Sequence, residues 1–439
     1  MNTAVQLANS LEEHWMPFTA NRQFKSHPRI ITGAQGMYYT TDRGDKILDG
    51  SSGLFCVAAG HGRREIAEAV NKALLEIDYV PPFQHGHPAS FALARRLSAM
   101  TPGDINHVFF VNSGSESVDS ALKIALAYHR ARGEGQRTRL IGRERAYHGV
   151  NFGGISVAGL VNNKKAFGPG LPGTCHLRHT VLPEHKFTRG QPETGAELAD
   201  DLQRFVDLHG AETIAACIVE PIAGSYGCLV PPKGYLQRLR EICDRNNIVL
   251  IFDEVICAFG RTGKAFGADS FEVVPDMITL AKALTNGVVP MGAVACSDKV
   301  YETITDAAPE NAVELFHGYT YSGCPVATAA SNAALTIYEQ EGLFERAAGM
   351  SPRFLDAAYS MKDLPIVTDV RGYGMLAGID LAPEGDPGKR GAKATQAFYE
   401  AGLMVKMTGD AVLLAPPLVC EDKHLDELQD KLRGVLKTL

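Results

Sequence analysis

The stretch from Ile248 to Lys282 constrains this chain more than any other. It opens with an unbroken apolar run, Ile248-Val249-Leu250-Ile251-Phe252, bounded by polar residues. A run so short and β-branched predicts a strand buried on both faces, as in a parallel sheet covered by helices. It stops on two acids, Asp253 and Glu254. A second apolar segment, Met277 to Ala281, closes on Lys282. Open α/β sheets bind ligands at the carboxyl ends of their strands, so both charged groups are expected where a ligand would sit.

An acid and a lysine in those two places suit pyridoxal phosphate (PLP). The amine can bond to the cofactor aldehyde, and the carboxylate can hold a proton on the pyridine nitrogen. Taken singly, an Asp after a strand also serves as a helix cap, and a lone Lys also serves as a solvated surface residue.

Upstream, His107 to Val111 predicts another strand. It runs into Asn112-Ser113-Gly114-Ser115-Glu116 and a helix reaching about Arg132. Strand, small-residue turn and helix N-terminus together form a phosphate cradle, because the first helical N–H groups are free and the helix dipole favours an anion. An ordinary Ser-capped helix fits the same residues. Further short strands are expected at Leu140–Gly142, which leads to Tyr147-His148-Gly149, and at Thr213–Val219, which ends on Glu220. A ring such as that of Tyr147 can stack on a cofactor.

The rest of the chain supplies the frame. Gly36–Asp49 alternates around Asp42-Arg43-Gly44-Asp45, a β-hairpin signature. Ser51 to Cys56 reads as a Gly/Ser-rich loop. Helices are expected over residues 63–77, 91–100, 234–246 and 327–341, with one more at the start of the chain. Trp15-Met16-Pro17-Phe18 is apolar and broken by proline, so it is expected to pack against something. Residues 160–200 read as a surface excursion. From about residue 345 a smaller α+β region follows, with strands at Ile366–Val370 and Met375–Leu381 flanking Arg371-Gly372-Tyr373-Gly374.

Several classes are disfavoured. A net charge of −7 with no basic run interleaved with aromatics argues against nucleic acid as a partner. Nine scattered cysteines without a C-x-x-C pair indicate neither a disulfide framework nor a zinc site, and suit a reducing cytoplasm. No apolar run approaches the ~20 residues that span a bilayer, and the first residues lack the pattern of a signal peptide. His85 and His87, in a loop without nearby acids or Cys, make a poor metal site. Residues 258–265 lack the first Gly and the Ser/Thr of a phosphate-binding loop, and residues 372–378 lack the last spacing of a dinucleotide fingerprint.

In order along the chain stand Asn112–Glu116, Tyr147-His148-Gly149, Glu220-Pro221, Asp253-Glu254-Val255, Phe259-Gly260-Arg261-Thr262-Gly263, Lys282 and Tyr319-Thr320-Tyr321-Ser322-Gly323. This set resembles the class III PLP-dependent aminotransferases over nearly the whole chain. Trp15–Phe18 and Asp49–Phe55 make it similar, within that family, to the ω-amino acid–pyruvate (β-alanine–pyruvate) transaminases. The resemblance implies an α/β subunit of PLP fold type I. Its large domain (residues 71–325) has a mostly parallel seven-stranded sheet, and its smaller α+β domain is made from residues 1–70 and 326–439. It also implies a homodimer, or a dimer of dimers, with active sites at the interface. The implied reaction moves the amino group of an ω-amino acid such as β-alanine, or of another primary amine, to pyruvate. A different acceptor such as 2-oxoglutarate, a racemase, a decarboxylase or a non-catalytic PLP-binding protein are the competing readings.

Carried over by position, Lys282 is the lysine bonded to the cofactor and Asp253 the partner of the ring nitrogen. Gly114 and Ser115 give N–H groups to the phosphate, Tyr147 and Val255 cover the two ring faces, and Glu220 lies near the ring. Thr320 reaches the phosphate of the neighbouring subunit. Two positions depart from the family pattern. Related enzymes often carry Trp where Phe55 stands in the pocket wall. They carry Arg, which binds the keto acid's carboxylate, where this chain reads Lys406-Met407-Thr408-Gly409-Asp410. Lys406 offers a point charge in place of a planar bidentate fork.

Overall fold

The computed structural model describes residues 11–439. A seven-stranded sheet forms the centre, in the spatial order His107–Val111, Gly292–Cys296, Met277–Leu280, Val249–Asp253, Ile214–Val219, Arg139–Arg143, Cys175–Leu177. Gly292–Cys296 runs antiparallel to both of its neighbours, and the other pairings are parallel. The apolar runs at 249–253 and 214–219 are buried at every residue, because helices cover both faces. On one face the long helix Gly114–Ala131 presents Val118, Ala121, Leu122 and Ala125 to Ile218, Ile251, Met277 and Val294. The other face is continuous with the core of the rest of the chain. Gly142 lets the short helix Phe152–Val157 dock on the sheet, since a Cβ there would stand 1.9 Å from the Val157 carbonyl oxygen.

Two four-stranded sheets flank this body. In one, the hairpin Tyr38–Thr41 with Lys46–Asp49 is extended by Ile31–Gln35 on one side. On the other side lies Leu403–Met404, parallel to Lys46–Asp49, so segments from both ends of the chain share a sheet. The second sheet has the order Val367–Tyr373, Leu376–Leu381, Ala411–Leu414, Lys406–Thr408. Among the described residues, no helix is long and apolar enough to cross a membrane.

Some local expectations need correction. The 160–200 excursion contributes Cys175–Leu177 to the sheet edge, a strand too short to announce itself by periodicity. Arg371–Tyr373 is strand, and the turn lies at Gly374. Ser52–Phe55 is a kinked helical turn. The helix Arg64–Glu76 forms as expected, but Leu74 and Ile77 are exposed because the helix outruns the core that buries Ile66. The helix expected at the start of the chain falls on residues 1–10, outside the described residues. Among the described residues, Trp15 (88% exposed) and Phe18 (79%) find little to pack against. Their segment closes on itself instead, Asn21 bonding both the N–H and the carbonyl of Met16.

Candidate active site

The carboxyl ends of the parallel strands open on one cavity of about 320 Å³. Each strand delivers a different group. His107–Val111 leads to Ser113, Gly114 and Ser115, Arg139–Arg143 to Tyr147, Ile214–Val219 to Glu220, Val249–Asp253 to Asp253 and Val255, and Met277–Leu280 to Lys282. Because Gly292–Cys296 is antiparallel, its beginning lies beside its neighbours' ends, so Met291 joins the wall. The cavity thus brings together Gly114, Ser115, Tyr147, Glu220, Asp253, Val255 and Lys282.

The helix Gly114–Ala131 begins at the cavity. Its cap, Ser113, accepts the Glu116 N–H through Oγ at 3.1 Å, and Glu116 reaches back to the Asn112 N–H at 2.7 Å. These bonds take up the N–H groups of Asn112 and Glu116, whereas those of Gly114 and Ser115 are among the first of the helix, which have no intrahelical acceptor. The Ser115 hydroxyl accepts the Val150 N–H at 3.1 Å and so ties the cradle to the Tyr147-His148-Gly149 turn.

Asp253 is buried and held on both oxygens. Oδ1 accepts from the Thr279 hydroxyl (3.1 Å) and the Val255 N–H (3.2 Å), and Oδ2 lies 2.7 Å from His148 Nδ1. Glu220 accepts the N–H groups of Tyr147 (2.9 Å) and Gly224 (3.2 Å). Burial first of all pushes its carboxyl up to about 7; His148 works against the rise and Asp253 adds to it. Burial, then Asp253 and Glu220, raise the Tyr147 phenol. Lys282 follows its strand directly, with a left-handed backbone (φ 54°) that a residue with a Cβ rarely adopts.

Three expected residues do not line this cavity, and for Thr320, expected at the neighbouring subunit's phosphate, that agrees with the expectation. Phe55 is buried in the hydrophobic core, and its neighbour Cys56 lines the cavity instead. Thr320 is exposed, its carbonyl accepting from the Tyr79 hydroxyl at 3.0 Å, away from the cavity of its own chain. Lys406 is half-buried and donates to the Met407 carbonyl (2.8 Å) and the Thr408 hydroxyl (3.2 Å). Burial, and secondarily Lys282, pull its amine below the ordinary lysine range. His87 bonds the Gly323 carbonyl at 2.7 Å.

Sequence reasoning missed the partners of these groups. His148 was visible as part of a turn, but its pairing with Asp253 spans 105 residues and leaves no local signal. Asn286 carries no motif either. Its side chain accepts the Ala59 N–H (2.8 Å) and donates to the Gly60 carbonyl (3.0 Å), fastening the Lys282 turn to the segment that holds Cys56.

A helix N-terminus for a phosphate, a buried carboxylate for a ring nitrogen and an amine for an aldehyde are the donor set that PLP requires. The absent side chain at Gly114 keeps the cradle open, since a Cβ there would come within 3.0 Å of Val255 Cγ1. The residues fit the cofactor.

Comparison with known proteins bears on the same point. The family described as aminotransferase class-III matches residues 19–436. The chain is 54% identical to an omega-aminotransferase of Caulobacter vibrioides, over 98% of each chain. It is 49% identical to a beta-alanine–pyruvate aminotransferase of Pseudomonas aeruginosa, over 97% of this chain and 96% of the relative. Among solved structures, an omega transaminase from Pseudomonas jessenii in complex with PMP superposes with a TM-score of 0.93 at 32% identity, covering 98% of both chains. An amine transaminase from an uncultivated Pseudomonas species, in its PLP-bound form, superposes with a TM-score of 0.91 at 33% identity, over 98% of this chain and 100% of that one. The chain belongs to the class-III aminotransferases, with the α/β fold of the PLP-dependent transaminases and PLP as its cofactor.

Proposed function

We propose that this aminotransferase moves the amino group of an ω-amino acid such as β-alanine, or of another primary amine, to pyruvate. The observation that carries the reading is the meeting of Lys282, Asp253 and the start of the Gly114–Ala131 helix in one cavity. The similarity to relatives named for ω-amino acids and pyruvate supports the choice of substrates.

Bound PLP supplies an aldehyde for the donor amine and a ring that withdraws electrons from the carbon losing its proton. The chain supplies the rest. Gly114 and Ser115 hold the phosphate through N–H groups, and Tyr147 and Val255 confine the ring. Asp253, fixed by Thr279, the Val255 N–H and His148, keeps a proton on the ring nitrogen. Lys282 would be the amine that bonds the aldehyde of bound PLP and, when free, the general acid–base that would take the proton from the donor carbon and return it to the cofactor carbon. Lys406 Nζ turns from its own strand to meet the carboxylate of the keto acid, and returns there for donors that lack one.

The same proposal includes a homodimer whose Thr320 completes the partner's phosphate site. Exposed Trp15, Phe18, Phe83, Phe91 and Phe316 support it, since isolated domains rarely expose so many large apolar side chains. Residues 71–325 are its cofactor-binding domain, with 1–70 and 326–439 forming the smaller one. A cytoplasmic setting is supported by nine free thiols.

The test is spectroscopic. The visible absorbance of the holoenzyme should bleach with β-alanine and return with pyruvate. Return with 2-oxoglutarate but not pyruvate would overturn the acceptor, and no bleaching with any primary amine would overturn the reaction. Thr320→Ala should release PLP more readily on dilution while remaining dimeric; unchanged retention would remove Thr320 from the site.

A further inference from the structure

The segment between the strand Lys46–Asp49 and the cavity wall has an unusual backbone. Ser52 (φ 49°), Gly53 (φ 66°) and Phe55 (φ 64°) are all left-handed, and two of the three carry a Cβ. Such conformations persist where the surroundings over-determine them. Here the anchors are explicit. Folding back at Ser52 and Gly53 brings the N–H groups of Ser51 and Gly53 toward one point, as in an anion-binding nest. The anion is the chain's own Asp49, which is fully buried. It accepts from Ser51 at 3.0 Å and from Gly53 at 2.8 Å, and its Oδ2 also lies 2.8 Å from His61 Nε2.

The opposite side of the loop is pinned by Arg261. This guanidinium donates to the Ser52 hydroxyl (3.0 Å) and to the Pro416 carbonyl (2.7 Å), while Ser52 donates to the Ala415 carbonyl (2.7 Å). Just beyond the loop, Asn286 grips Ala59 and Gly60. The loop is therefore fixed from three directions, and its last residue, Cys56, lines the cavity, whereas Asp49 does not.

We propose that Asp49 is a positioning residue that sets donor selectivity by holding the Ser51–Cys56 loop in its left-handed form as one wall of the donor site. The proposal rests on the reading that the donor amine enters this cavity. Without the carboxylate, the N–H groups of Ser51 and Gly53 lose their acceptor, and Ser52 and Phe55 can return to ordinary backbone regions. Cys56 then leaves its place, and the wall no longer discriminates by size.

Cys56 provides a native reporter that is independent of turnover. In the holoenzyme, alkylation by iodoacetamide is followed by peptide mapping at Cys56, with half-buried Cys175 on the sheet edge as the internal reference. Asp49→Ala should raise the Cys56 rate about tenfold, beyond the rise that loss of the nearby Asp49 charge gives the thiol in Asp49→Asn as well, and leave the Cys175 rate unchanged. Asp49→Asn, which keeps one acceptor oxygen, should fall between the two, and it carries the test if Asp49→Ala does not fold. The kcat/KM ratio of β-alanine to 1-phenylethylamine should fall in both variants through KM, with borohydride still fixing the cofactor stoichiometrically. An unchanged Cys56 rate overturns the proposal, as does an equal loss of kcat/KM for both donors. If the wild-type enzyme transaminates neither amine, the proposed reaction fails, while the thiol measurement still decides whether Asp49 holds the loop.

Discussion

The cavity that would hold the cofactor and the strand whose Lys406 is proposed to meet the acceptor are built on different principles. At the cofactor end the groups lie at or within a few residues of strand ends in the central sheet, which positions them. Asp253 there has both oxygens engaged by the chain's own groups. At the acceptor end Lys406 lies on a three-residue edge strand of a peripheral sheet. Its amine bonds a carbonyl and a hydroxyl of its own strand. The cofactor end is preorganised, whereas the acceptor end keeps a retracted charge on a flexible stem. The first arrangement suits a permanently bound group, and the second suits two substrates that alternate in one space.

Substitutions can break this contrast, beginning where the effect is greatest. Lys282→Ala should abolish turnover yet retain PLP without a covalent bond, because other residues hold the phosphate and ring. Borohydride should fix the cofactor to Lys282 in the native protein, and a label on another lysine would refute the assignment. Asp253→Asn should slow the chemistry by about 10²–10³-fold, the usual loss when a preorganised electrostatic group is removed. Single-turnover kinetics with near-native rates would deny Asp253 its role.

The acceptor end should respond more gently and more selectively. Lys406→Ala should cost pyruvate binding ~1.5–3 kcal/mol, the range for a charge-assisted hydrogen bond, and scarcely affect a carboxylate-free amine. Lys406→Arg should lower the KM for pyruvate, because a guanidinium fork fits a carboxylate better. Half-reaction kinetics followed by cofactor absorbance separate these cases. Equal losses for pyruvate and a simple amine would show that Lys406 does not read the carboxylate.

The smallest effect concerns stability at the preorganised end. Glu254, beside Asp253, is fully buried and accepts the N–H groups of Gly267 (2.8 Å) and Ala268 (2.7 Å). Burial pushes its carboxyl up to about 8 from 4.5, against the pull of those N–H groups. Between these values the folded state holds a proton that the unfolded state has lost, so stability falls as pH rises through the window and levels off above it. Glu254→Gln has no such proton. The decline in its thermal midpoint across that window should be shallower by about 1–3 °C. A pH slope as steep as the wild type's would assign the titration to another group.

Legibility in the sequence divides along the same line. The runs ending at Val219, Asp253 and Ala281 announce both the strands and the groups at their ends, since burial on two faces writes a continuous apolar signal. Phe55 and Lys406 could be named by position, but their surroundings could not. Phe55 belongs to the core while Cys56 faces the cavity, because two adjacent left-handed residues and Phe55 itself reverse the chain where a simple loop would have continued. Trp15 and Phe18 carry an apolar signal, yet both are exposed among the described residues.

By itself, then, the sequence determined most strands of the central sheet, the helix start that can cradle a phosphate, and the acid and lysine at the strand ends. These are local properties, carried by short apolar runs and by the polar residues directly after them. Tertiary structure alone decided that His148 orients Asp253, that Asn286 fastens the Lys282 turn to Ala59 and Gly60, that Asp49 closes its own loop, and that Lys406 rests on its own strand. The first two pairs lie 105 and 227 residues apart. Such pairs are set by how the sheets stack and cross, and the choice among a side chain's possible partners is made only when packing has removed water from the others.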